Sequence, residues 1–172
     1  MTMNPAKGRA SLRRGRISAP GAEYFLTVCT DGRRVGLTTT EVGEAVMLEL
    51  KAMDRDGTWI LRCVGIMPDH IHVLAILGER LPLGRSIQRL KAKTSEGLRA
   101  ERIDWERDFF DHRLRASDDA LDVFLYIYLN PYRAHLARRM DRWPWFYCRP
   151  QDWEWFHSYL DQDRPPPEWL AG

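Results

Sequence analysis

Apolar positions along the chain fall into two periods, and the switches between them outline a fold. Tyr24-Phe25-Leu26-Thr27-Val28-Cys29-Thr30 is rich in aromatic and β-branched residues and predicts a first strand, closed by Asp31-Gly32. Glu41 to Asp56 carries apolar residues at helical spacing (Val42, Ala45, Val46, Met53) and predicts a helix ended by Gly57. Trp59 to Met67 and Ile71 to Leu77 are strand-like runs separated by the turn pair Pro68-Asp69, which predicts an antiparallel hairpin. Leu83 to Arg102 predicts an amphipathic, cationic helix with Ile87, Leu90 and Leu98 on its apolar side. Phe109 to Leu114 predicts a short fourth strand, and Ser117 is the expected N-cap of a third helix running through Leu121, Phe124 and Leu125 to Asn130. This order, βαββαβ and then a helix, matches an α+β, ferredoxin-like antiparallel sheet with its helices on one face, followed by a C-terminal helix that carries the candidate chemistry.

Three parts are expected: a flexible basic arm over 1–22, one domain over 23–142, and an aromatic-rich tail over 143–172 packed on the domain. The tail holds Trp143, Trp145, Trp153 and Trp155 with Phe146, Tyr147 and Phe156 among them. Packing is the favoured role for these rings, with stacking on bases as the alternative.

Composition narrows the class. The chain has 172 residues, 44% hydrophobic, with 29% charged, enough for one core. The longest strongly apolar stretch, Val73 to Leu77, is far too short for a membrane span, and no export signal is readable, so a cytoplasmic protein is expected. Cys29, Cys63 and Cys148 show no C-x-x-C spacing and are read as small hydrophobes rather than disulfide or zinc ligands. The net charge of +2 conceals segregation. Lys7, Arg9, Arg13, Arg14 and Arg16 stand without an acid in residues 1–16, and residues 80–102 hold seven cations against Glu96 and Glu101. Acids collect at 41–56 and 104–122. Clustered cations suit a phosphate-binding face, although solvated helix faces give the same pattern.

Two local patterns carry candidate chemistry. In Met67-Pro68-Asp69-His70-Ile71-His72-Val73, strand alternation sends His70 and His72 to one face, their Cα atoms about 7 Å apart. Two neutral imidazoles so placed suit a divalent ion completed by oxygen donors, although an H-x-H alone also describes satisfied core histidines. In Tyr126-Ile127-Tyr128-Leu129-Asn130-Pro131-Tyr132-Arg133-Ala134, helical spacing lays Asp122, Tyr126 and Asn130 on one stripe. Alone, Tyr126 reads more readily as a half-buried hydroxyl with a hydrogen-bond partner, and Asn130 also reads as the cap of a helix beginning at Pro131.

The first pattern resembles the HUH motif of single-tyrosine transposases, and the second the signature helix of their REP-associated tyrosine transposase relatives. Tyr24-Phe25-Leu26-Thr27 resembles the family's opening strand, and Trp105-Glu106-Arg107-Asp108-Phe109-Phe110-Asp111 its W-x-x-x-[FY]-[FY]-D segment. The likeness covers about residues 23–136. Tyr128, Tyr132 and His135 depart from it, standing where histidine, valine and glycine are common, and Tyr128 leaves a second tyrosine near the first. The resemblance implies a transposase that cuts and rejoins single-stranded DNA hairpins, REP-like palindromes, through a 5′-phosphotyrosine. It implies Tyr126 as nucleophile, His70 and His72 as ligands of Mg²⁺ or Mn²⁺, and Asn130 at the position of a third ligand, with no small-molecule cofactor. Arg13, Arg14, Arg16, Arg89, Lys91, Lys93 and Arg133 are the candidate DNA contacts. A monomer or homodimer is expected, with Tyr126 acting in its own site. Two rivals are carried forward: a non-catalytic nucleic-acid-binding module on the same kind of sheet, and a metal-independent ribonuclease using the histidines as an acid-base pair.

Overall fold

The computed structural model describes residues 18–170. Five strands form one antiparallel sheet: β1 (Glu23–Cys29), β2 (Trp59–Ile66), β3 (His70–Leu77), β4 (Phe110–Arg113) and β5 (Phe146–Cys148), in the order β4-β1-β3-β2-β5. The first four strands have the expected ferredoxin-like arrangement. The fifth comes from the aromatic-rich tail, for which no strand was expected, and extends the sheet along the outer edge of β2. Four helices complete the fold: α1 (Thr40–Arg55), α2 (Leu83–Ala100), α3 (Ala120–Arg133) and α4 (Pro150–Phe156).

Strand alternation divides the sheet between two cores. Leu26, Val28, Leu61, Val64, Ile71, Val73 and Ala75 face α1 and α2, burying Val46, Leu50, Ile87 and Leu90. Phe25, Cys63 and Leu74 point the other way, toward α3 and the tail, where they meet Phe124, Ile127, Leu129 and Phe156. The first two helices therefore share one face as expected, and the third helix covers the opposite one. His70 and His72, in phase with Leu74, belong to the α3 side.

Two local expectations are corrected. Asp119, not Ser117, caps α3: its side chain accepts from the Leu121 N–H, which leaves Ser117 in the preceding turn. Nor does α3 end at Asn130; it runs through Pro131 to Arg133, so Asn130 is a helical residue and no cap. Pro131 offers no N–H to the Ile127 carbonyl four residues back, and that carbonyl instead lies against β2 at Gly65.

Gly65 is where α3 comes closest to the sheet. A Cβ there would stand 3.0 Å from Ile127 Cγ2 and 3.3 Å from the Ile127 carbonyl oxygen, and Gly65 is the cross-strand partner of His72. Gly65→Ala is expected to lift α3 off β2 and cost about 1–3 kcal/mol of stability, the usual range for overpacking. Urea unfolding of the variant checks this, and an unchanged midpoint would show that α3 tolerates the extra atom.

Residues 18–22, the described end of the expected arm, lie on the domain: Ser18 Oγ accepts from the Leu83 N–H at 3.0 Å, and Gly21 N–H donates to the Leu77 carbonyl at 2.7 Å. Arg13, Arg14 and Arg16 lie outside the described residues. In the tail, Trp143 Nε1 donates to the Ile66 carbonyl, Trp145 packs against Gly43 of α1, and Trp153 joins the α3-side core. Three of the four clustered tryptophans are thus packing groups. Arg62 of β2 fastens the tail further, pairing with Glu23 of β1 and Asp152 of α4. No helix among the described residues is long and apolar enough to cross a membrane.

Candidate active site

The two histidines converge. His70 Nε2 and His72 Nε2 are 3.0 Å apart, with the rings edge-to-face. Each second ring nitrogen has a partner. His72 Nδ1 lies 2.9 Å from Thr27 Oγ1 on β1, a hydroxyl able to accept from an Nδ1–H or to donate to a bare Nδ1. His70 Nδ1 lies 2.7 Å from Asp69 Oδ1, and a carboxylate can only accept. His70 Nε2 is therefore left as a lone pair, and His72 Nε2 is one as well when Thr27 accepts. Burial pushes both rings toward the neutral form, His72 well below the ordinary imidazole range, and Asp69 opposes the shift only at His70.

Asn130 completes the convergence from α3. Its amide nitrogen lies 3.0 Å from His72 Nε2. The two Nε2 atoms, 3.0 Å apart, share either a proton, given by His72 when Thr27 donates to its Nδ1, or a cation when both are bare. Two nitrogens each about 2.1 Å from one octahedral ion stand about 3.0 Å apart, which matches the observed separation. Among the described residues no group of three His, Cys, Asp or Glu side chains forms a metal site. The donor set that fits is two imidazoles with the Asn130 amide oxygen, after the amide turns over, and its remaining positions fall to water or substrate oxygens.

Tyr126 lies one turn before Asn130, half-buried, its ring 5.1 Å from that of His72 and 5.7 Å from that of Phe25. Burial raises its pKa, while Arg33, Arg133 and a hydrogen bond with Asn130 act in the opposite sense. Tyr128, the second tyrosine of the sequence, faces elsewhere. Only 5% exposed, it packs among Tyr132, Phe146 and Phe156 and donates to the Asp163 carbonyl. The roughly 200° between residues two apart on a helix separates the two phenols, as expected.

The expected DNA contacts fare unevenly. Arg133 is exposed at the end of α3 and is felt electrostatically by Tyr126. Arg89 is committed to Glu49 at 2.7 Å and Asp56 at 2.5 Å, tying α2 to α1. Lys91 donates to the carbonyls of Glu106, Arg107 and Asp108. Both side chains are engaged within the molecule, and Lys93, exposed, shares their helix on the sheet face opposite the histidines. One site residue was missed. Arg33 ends the 3-10 turn Asp31–Arg33 after β1, with Nε 2.7 Å from Asp69 Oδ2 and Nη2 3.1 Å from His70 Nδ1. It falls between the charge clusters, and its only sequence signal is its place just after the first strand.

Residues 19–116, more than half of the chain, match the family model described as Transposase IS200 like. The chain belongs to the IS200-like transposase family. It is 25% identical over 130 residues, 75% of this chain and 78% of the other, to the REP-associated tyrosine transposase of Escherichia coli K12. A solved REP-associated tyrosine transposase bound to a REP hairpin superimposes with a TM-score of 0.65 at 23% identity, covering 77% of this chain and 79% of that one. For this IS200-like transposase that superposition bears on the fold, and it agrees with the α+β sheet described above. The match to the family model ends at residue 116, before α3, so the candidate roles of Tyr126 and Asn130 rest on geometry.

Proposed function

We propose that the chain cleaves and rejoins single-stranded hairpin DNA through a covalent bond to Tyr126, with His70, His72 and Asn130 holding a divalent ion, Mg²⁺ or Mn²⁺. The observation that carries this reading is the meeting of three kinds of group at one point: two imidazoles from β3, an amide from α3, and a phenol one helical turn away on the same helix. A cation bound there would supply Lewis-acid polarisation of the scissile phosphate. The chain's own contributions are distinct. Asp69 fixes the tautomer that presents His70 Nε2, Thr27 accepts from His72 Nδ1–H when its Nε2 holds the ion, and packing against Phe25 holds the Tyr126 ring beside His72. Tyr126 Oη attacks phosphorus and its proton leaves to water; the bond from phosphorus to the 3′ oxygen breaks, and that oxygen takes up a proton. The products are a 5′-phosphotyrosine and a free 3′-hydroxyl, and a second 3′-hydroxyl reverses the step without ATP. A hairpin substrate is supported by the REP-hairpin-bound relative, and the exposed Arg133 is placed to receive its backbone.

The test is to incubate the chain with single-stranded palindromic hairpins from its own genome and Mn²⁺, and to look for an adduct that survives denaturation. Its formation only with divalent ion supports the reading; cleavage that persists in chelator and demands a 2′-hydroxyl would favour the ribonuclease instead. His72→Ala is expected to weaken Mn²⁺ binding about 10- to 100-fold or more, as even the loss of a partner supporting a ligand does. Electron paramagnetic titration reads this without DNA, and unchanged Mn²⁺ affinity would remove the histidines from the ion.

A further inference from the structure

We propose that Arg33 is a phosphate-binding catalytic residue, donating from its terminal Nη groups to a non-bridging oxygen of the phosphate that Tyr126 attacks. The proposal rests on the strand-transfer reading above and adds a contact that neither the histidines nor Tyr126 supplies.

A guanidinium has five N–H donors in a fixed fork. Nε meets Asp69 Oδ2 at 2.7 Å, an ideal charged pair. Nη1 reaches only the Cys29 thiol sulfur, a weak acceptor that burial keeps protonated. Nη2 stands 3.1 Å from His70 Nδ1. That nitrogen already gives its proton to Asp69, so it offers Nη2 no lone pair. The terminal edge of Arg33 therefore has no oxygen acceptor among the described residues, while its side chain is 48% exposed. A charged fork with one edge satisfied and the other open beside His70 matches the geometry with which arginine takes a phosphate.

The backbone agrees. Gly32 has φ +61° and Arg33 φ +58°, two successive left-handed residues, and the second is unfavourable for a side chain with a Cβ. Strain of this kind persists where surrounding structure imposes it, and it gathers at functional sites. Here it folds the guanidinium back over the β2–β3 turn, onto Asp69 and toward Tyr126, whose phenol experiences its positive charge. Without the turn, an arginine four residues after Cys29 would continue away from the site.

The experiment uses the hairpin that the wild-type chain cleaves, synthesised with either a phosphate or a charge-neutral methylphosphonate at the scissile position. With phosphate, Arg33→Ala is expected to slow adduct formation about 10²-fold, the scale for removing one donor from a developing oxyanion. Arg33→Lys, which keeps the charge but not the fork, should recover part of that loss. With methylphosphonate the Arg33→Ala penalty should shrink to less than about threefold, because the charge that Arg33 neutralises is gone. Mn²⁺ affinity, read by paramagnetic titration, should stay within about twofold of wild type. An equal penalty on both substrates accompanied by weakened Mn²⁺ binding would reduce Arg33 to a support for Asp69 and His70, and would overturn the proposal. A wild-type chain that forms no adduct with any hairpin would instead overturn the strand-transfer reading, and the role of Arg33 with it.

Discussion

Tyr126→Phe is expected to abolish the covalent DNA adduct, lowering strand cleavage by at least about 10³-fold while leaving hairpin affinity within about twofold. The substitution deletes one oxygen. The ring contacts with His72 and Phe25 remain, so the fold and the histidine pair are unaffected. Tyr128→Phe is the matched control, two residues away on the same helix. Its phenol donates to the Asp163 carbonyl inside the tail, and burial drives its pKa far above the ordinary tyrosine range. Loss of that bond is expected to cost about 0.5–1.5 kcal/mol of stability and to leave the adduct intact. A denaturing gel and an unfolding curve on both variants separate the two tyrosines. An adduct that survives Tyr126→Phe and disappears with Tyr128→Phe would reverse the assignment, and would require the tail to move away from α3.

The halves of the site were not equally legible in the sequence. His70 and His72 could be placed together because strand alternation is rigid: two residues separated by one must share a face, whatever the rest of the chain does. The Tyr126 and Asn130 stripe was readable for the same reason on a helix, and the open question of Asn130 as a cap was decided by α3 continuing through Pro131. What periodicity could not supply was pairing between distant segments. The cations of α2 looked free because charge was counted along the chain, whereas Glu49 and Asp56 come from the acid-rich stretch at 41–56 and meet Arg89 only once α1 and α2 pack side by side. Cys63 and Cys148, widely separated in sequence, are direct cross-strand partners because the tail returns as β5. Arg33 was invisible for a related reason. Its position depends on a left-handed turn, and Asp31-Gly32 announces that a turn occurs without saying where the next side chain will point.

The tail that sequence periodicity described least is expected to matter most for stability. Phe156, on the one-turn-longer-than-minimal α4, is fully buried, and its ring contacts Phe124 and Tyr128 of α3 and Trp153 and Trp155 of its own helix. Phe156→Ala is expected to cost about 3–5 kcal/mol, the range for emptying a buried aromatic site, a large part of what a domain of this size has. The neighbours cannot readily fill the space. Phe124 is held from one side by the Arg62 guanidinium over its ring, and Tyr128 by its bond to Asp163. Trp155, 38% exposed at the rim of the same cluster, provides the comparison: Trp155→Ala should cost clearly less. Because Phe124, Tyr128 and Tyr126 share one helix, the cavity would also loosen the backbone that holds the nucleophile. Adduct formation should then fall at temperatures below the melting transition, and Tyr126 should regain order as the temperature is lowered. A single cooperative transition with a reduced midpoint would place the tail inside the domain's own core. Destabilisation below about 1 kcal/mol, or a separate early transition with the adduct unaffected, would instead make the tail an appendage on a sheet that stands without it.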